Sequence, residues 1–201
     1  MDSAQRHPAY DSLQARISAS KRADGYSLLE LLVVVALIGV GVASTIMVGP
    51  AMMARGKADS ASTALVAALK NARGRAIGER RNFQLVFTPP NRFQVFRVEI
   101  PSGATTQVND IRLENGQQFH QFSGVADTPD AFGATGAISF GSTPAVLFTS
   151  EGTLVDSSGD VLNGTIFLGR PGDYESARAV TLFGVTGLVR TWTWTGDRWL
   201  E

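Results

Sequence analysis

KRADGYSLLELLVVVALIGVGVAS, residues 21–44, decides how the chain is organised. Beyond Glu30 no charged residue occurs until Arg55, and the residues between are apolar on every side of a helix rather than along one stripe. A run of this length reaches across the roughly 30 Å hydrocarbon core of a bilayer, so it reads as a transmembrane helix. The competing readings are a cleaved secretory signal with its cut near Ala43 and a buried core helix. The run is longer than the roughly 7–15-residue apolar region of a secretory signal. Glu30 stands at its start, where a carboxylate inside a membrane is penalised by up to roughly 2.5–3.5 kcal/mol and usually faces a partner.

Working outward, the 201-residue chain has room for one domain beside such an anchor. Formal net charge is zero, but unevenly spread. Residues 55–81 hold seven Lys/Arg against two Asp/Glu, whereas residues 82–201 hold seven against twelve. An acidic head argues against broad nucleic-acid binding. Cysteine is absent, which excludes disulfides, thiolate nucleophiles and Cys metal sites. Only His7 and His120 are available as imidazoles.

In residues 58–81, Ala61, Leu65, Leu69, Ala72 and Ala76 recur at spacings of three and four, one apolar face of a helix. The expected picture is one long helix, amphipathic in its second half, packed on a sheet. Pro50 lacks the N–H for the Ile46 carbonyl, so a kink or local melting is expected there. Gly39-x-x-x-Ala43 offers a small-residue face for helix contact, a pattern also common by chance in spans.

After Arg81 the period changes to two. Phe83-x-Leu85-x-Phe87 and Phe93-x-Val95-x-Arg97, with PPN between them, predict a β-hairpin. Further strands are expected at 137–140, 145–149, 164–169, 179–183 and 188–195, divided by Gly, Pro, Asp and Ser clusters. The fold class is therefore α+β, a long N-terminal helix packed on an antiparallel sheet head.

Lys21-Arg22-x-x-Gly25, then Tyr26-Ser27-Leu28-Leu29-Glu30 and the apolar run, resembles the class III signal of type IV pilins and type II secretion pseudopilins. The resemblance implies a pilin-like fold and cleavage by a prepilin peptidase between Gly25 and Tyr26, followed by N-methylation of Tyr26. It further implies that Glu30 is the assembly residue, paired with the new N-terminal amine of a neighbouring subunit. Tyr26 keeps the ring of the phenylalanine usual in that place and adds a hydroxyl. The implied division is a leader over 1–25, a transmembrane and assembly helix over 26–54, its amphipathic continuation over 55–81 and a periplasmic β-rich head over 82–201. Charges flanking the span, Lys21 and Arg22 against Arg55 and Lys57, leave orientation open. The resemblance implies a single pass through the bacterial inner membrane with the N-terminus cytoplasmic, then residence in a filament.

Within that group, Phe148-x-x-x-Gly152, Thr165-Ile166-Phe167-Leu168 and Gly187-x-x-Arg190 resemble the heads of the H-type minor pseudopilins and FimT-type minor pilins. The implied partners are the membrane, the peptidase and other pilins or pseudopilins. Some members of the second type bind DNA through Gly-Arg-x-Arg. Here the sequence is Gly187-Leu188-Val189-Arg190, which lacks the first arginine. Nucleic acid is accordingly not expected, and a DNA-binding minor pilin is the alternative function.

Trp192 and Trp194 lie on one face of their strand. Packing on the long helix or a neighbouring sheet is expected of them; with Arg190 they are also the candidate ligand-binding residues, able to stack on bases or sugars if exposed. His120 has no ligand-type neighbour at metal spacing. Asp156-Ser-Ser-Gly-Asp160 offers two carboxylates to a cation such as calcium, yet Asp, Ser and Gly are also ordinary turn residues. No nucleophile elbow, phosphate loop or placed carboxylate pair occurs, so neither enzyme activity, metal nor cofactor is expected.

Overall fold

The computed structural model describes residues 26–141 and 145–201, with the side chains of 43–51 and 145 left aside. Residues 1–25, including Gly25 and the leader, lie outside the described residues. The described residues divide into two units, with the boundary between Met47 and Val48.

Helix α1 runs Leu28–Glu79. Ser27 caps it: its carbonyl accepts from Leu31 N at 3.0 Å and its Oγ from Leu29 N at 3.3 Å. Glu30 follows at the third helical position, the spacing of a capping box, where the positive end of the helix dipole favours a carboxylate. Helical backbone continues through Pro50 rather than melting there. At the far end Arg80 takes φ 52° and lets Arg81 N reach the Ala76 carbonyl at 3.1 Å and Arg80 N the Ile77 carbonyl at 3.4 Å. This pair of bonds is a Schellman stop, built on arginine where glycine is usual.

The head holds eleven described strands, all antiparallel. In one sheet the order is β3 (Thr105–Arg112), β2 (Arg92–Val98), β1 (Phe83–Thr88), β6 (Ala145–Phe148), β7 (Leu154–Val155). The other runs β11 (Trp199–Leu200), β10 (Val189–Trp194), β9 (Asp173–Leu182), β8 (Gly164–Arg170), β4 (Gln118–Phe119), with β5 (Ile138–Ser139) also paired to β8. β1 and β2 form the hairpin that the period-two pattern predicts, in register from Phe83↔Arg97 to Thr88↔Arg92.

One apolar core joins α1 to both sheets. Ala61, Leu65, Leu69, Ala72 and Ala76 are all buried, against Phe83, Leu85, Phe93 and Val95 of the first sheet and Ile166, Leu168, Val180 and Leu182 of the second. Strand alternation then sends Phe167 and Ala179 to the opposite face of the second sheet. There they form a smaller core with Trp192, Trp199, Val125 and Ala134. The irregular segment 120–137 covers that face, so β8 is buried on both sides over all but its last residue.

Candidate functional sites: the exposed N-terminal helix, and the head

Tyr26 is 80% exposed, and Glu30 in the first turn is exposed as well. Leu28, Leu29, Leu31, Leu32, Val33, Val34, Val35, Leu37, Ile38, Val40 and Val42 are exposed too, on every side of the helix. Exposing such a surface to water is unfavourable, so burying it against lipid or other apolar groups would be a gain. Among the described residues no helix is long and apolar enough to cross a membrane, and the side chains of 43–51, in the second half of the expected 26–54 span, lie outside them.

Within the second unit, the lower part of α1 is fastened to β9 by Arg178, whose side chain is 4% exposed. Its Nε donates to Asp59 Oδ1 at 2.7 Å, its NH1 to the carbonyls of Glu175 and Ala177 at 3.0 and 2.9 Å, and its NH2 to the Arg55 carbonyl at 3.4 Å. A buried guanidinium is tolerable because its donors find a carboxylate and carbonyls. Arg55 adds a surface pair, its Nε reaching Glu175 Oε2 at 2.7 Å. The sequence gives no hint of this clamp, since Arg178 in ESARAV reads as an ordinary exposed charge.

Farther along α1, Arg73 lies under two loops. Its Nε donates to the Gly152 carbonyl at 2.9 Å. A Cβ on Gly187 would stand 2.1 Å from that same Nε. Both glycines have positive φ, 82° and 61°. The glycines of Phe148-x-x-x-Gly152 and Gly187-x-x-Arg190 thus converge on one helix side chain, which accounts physically for both.

At the helix end, Glu79 pairs with Arg75 at 2.8 Å and Arg97 at 3.3 Å, and Arg97 pairs with Glu99 at 2.8 Å. The hydrogen bond from Arg75 chiefly holds the Glu79 carboxyl below its ordinary value, with Arg97 assisting against the opposing effect of desolvation. Glu99 is lowered by its bond from Arg97, and Asp110 by its bond from Arg92.

Arg190, Trp192 and Trp194 share the face that segment 120–137 covers. Trp192 is buried, and its packing partners are this segment, Phe167 and Trp199; the expectation of packing on the helix or a neighbouring sheet is corrected by strand alternation, which turns it away from α1. Its indole N–H donates to Thr181 Oγ1 at 3.0 Å, and Thr181 donates onward to Asp130 Oδ2 at 2.6 Å. Arg190 NH1 donates to the other oxygen of Asp130 at 3.0 Å, and the guanidinium lies over the Phe183 ring. Trp194 is partly buried and meets Trp199 edge-on at 5.2 Å. The three candidate ligand residues thus sit together, with Arg190 and Trp192 engaged in fastening a loop.

His120 stacks edge-on against Phe122, at 4.7 Å. Asp156 Oδ1 accepts from Ser158 N and Asp160 N at 2.8 and 3.0 Å, the bonding of a turn. Among the described residues no group of three or more His, Cys, Asp or Glu is placed to hold a metal ion.

Residues 20–46 match the family model described as the prokaryotic N-terminal methylation motif. No curated protein sequence matches the chain. Among solved structures, the chain is similar to the minor pseudopilin EpsH from the type 2 secretion system of Vibrio cholerae, at 14% identity and TM-score 0.46, over 68% of this chain and 97% of that one. It is also similar to the type IV minor pilin FimU of Pseudomonas aeruginosa, at 15% identity and TM-score 0.47, over 73% of this chain and 95% of that one.

Proposed function

We propose that this chain is a minor pilin or pseudopilin, a structural subunit rather than a catalyst, which joins a filament of a type IV pilus or a type II secretion machine. The observation that carries the reading is the coincidence of the methylation motif at residues 20–46 with an apolar helix exposed all round from Leu28 to Val42. Such a helix leaves lipid only where other helices bury it again, and a filament core supplies that burial. In this reading the chain crosses the bacterial inner membrane once, with its N-terminus cytoplasmic and its head periplasmic. Prepilin peptidase cuts after Gly25, and Tyr26 receives a methyl group on its new amine. Glu30 then sets docking, because a subunit seats fully only when its carboxylate meets a neighbour's amine.

DNA capture has less support. The ion pair of Arg190 with Asp130 ties up the arginine that such a role would use, and the head is acidic. The test of the main reading is the mature N-terminus by mass spectrometry of membrane-extracted protein. N-methylated Tyr26 is the expected result; an N-terminus near Ala43 overturns the assignment.

A further inference from the structure

The chain contains two Asn-Gly pairs, Asn115-Gly116 and Asn163-Gly164; both asparagines are exposed, but the fold ties down only the second pair. Asn115 and Gly116 are both exposed, with φ of 59° and 76°. They are the central residues of a two-residue turn closed by one backbone bond, Gln117 N to the Glu114 carbonyl at 3.0 Å. Among the described residues, neither the Asn115 amide nor the Gly116 N–H has a hydrogen-bond partner. Asn163 instead accepts a bond from Gly184 N on its side-chain oxygen at 2.7 Å. Gly164 is buried in the β8–β9 ladder opposite Leu182, tight against the Phe140 ring.

We propose that Asn115 is a site of spontaneous deamidation driven by its own backbone, and that Asn163 is protected from the same reaction by the fold. The Gly116 nitrogen, giving up its proton to solvent, attacks the Asn115 side-chain carbonyl carbon. The bond from that carbon to the amide nitrogen breaks, and ammonia leaves. One water then opens the cyclic imide at either carbonyl, yielding aspartate or isoaspartate. Glycine after the asparagine matters because no Cβ obstructs the approach. Attack requires the turn to open, and one hydrogen bond resists that at the surface. At Asn163 the same motion requires the bond to Gly184 to break and the end of β8 to peel from its ladder.

The consequence falls on a junction. Residues 113–117 connect β3, the edge of the first sheet, to β4, the edge of the second. Conversion adds a carboxylate beside Glu114, in a groove shared with Arg112 and Ser60 of α1. The isoaspartate product also routes the backbone through the side chain, adding one atom to the link between the sheets. Subunits that have aged in place therefore differ chemically from new ones at that link.

The test is peptide mapping of the purified full-length protein after incubation at mildly alkaline pH, in detergent solution and in parallel in strong urea. The mass gained when –NH2 becomes –OH identifies the converted peptide, and chromatography separates the two isomers. In the folded protein the Asn115 peptide is expected to convert more than about tenfold faster than the Asn163 peptide, while in urea the two rates converge. Equal rates in the folded protein, or an Asn115 that stays intact when folded and converts only in urea, would overturn the proposal.

Discussion

Arg73 on the helix and Gly152 on a loop are joined by a 2.9 Å bond from guanidinium to carbonyl, and Gly187 closes over the same side chain with no room for a Cβ. Three parts of the head therefore fix one another. Gly187→Ala is expected to destabilise the protein by about 1–3 kcal/mol, through overpacking and left-handed strain together. Combining it with Arg73→Ala should lose less than the two single losses summed, since the contact with the guanidinium goes, while the approach to the Gly152 carbonyl at 2.7 Å and the left-handed strain stay. Denaturant melts of the four proteins measure this; strict additivity would show that Arg73 is not what Gly187 accommodates.

Arg80 pays for the helix stop with a left-handed backbone that glycine adopts freely. Arg80→Gly is expected to raise stability by about 0.5–1 kcal/mol, the relief of strain outweighing the entropy glycine brings to the unfolded chain. A lowered thermal midpoint would mean that the arginine side chain contributes more than its backbone loses.

The carboxylates of Glu79, Glu99 and Asp110 all titrate below their ordinary values of 4.5, 4.5 and 3.8 because arginines hydrogen-bond their charged forms. Folded values below unfolded ones mean that this stabilisation is fully present above the unfolded values and is lost as pH falls through the folded ones. The melting temperature should therefore begin to fall below about pH 4.5 and should fall less steeply in the Glu79→Gln, Glu99→Gln double variant. Salt should shrink the effect, since all three carboxylates are solvent-accessible. An unchanged acid slope in the double variant would assign acid sensitivity to other groups.

How far the sequence predicts this architecture depends on what kind of order each segment carries. The β1–β2 hairpin and the buried stripe of α1 follow from periodicity, because one face of each meets a core and the other meets solvent. β3 escapes notice because TTQVNDIR is a polar edge strand with little to bury. β4, β7 and β11 hold two residues each, too few for any period. The partners of Trp192 come from segment 120–137, which has no repeating pattern, and the Arg178 clamp joins residues 119 positions apart. The cap also escapes notice: Ser27 and Glu30 hold the S-x-x-E spacing, but it lies against the apolar run and becomes a cap only once the helix is seen to start at Leu28.

Glu30→Leu separates membrane insertion from assembly. Removing the charge should leave insertion unchanged or improved. Processing should persist, because the proposed cut, after Gly25, lies upstream of the substitution. Filament entry should fail, since an unpaired N-terminal amine would have to enter an apolar core. Cell fractionation is then expected to find mature protein in the membrane and none in sheared or cross-linked filaments. Normal incorporation would leave Glu30 with the helix cap alone.

The Arg178 clamp also determines how the head responds to tension. A pull along α1 toward its N-terminus meets the bonds of Arg55 to Glu175 and Arg178 and then the Asp59–Arg178 bond, some twenty residues before the helix ends at Glu79. Force passes there into β9, a strand flanked on both sides by β8 and β10, so traction is shared across a sheet instead of unzipping the helix from its free end. The Arg73 and Glu79 contacts lie farther along, beyond the buried stripe that starts at Ala61, and stand last in the path of such a pull.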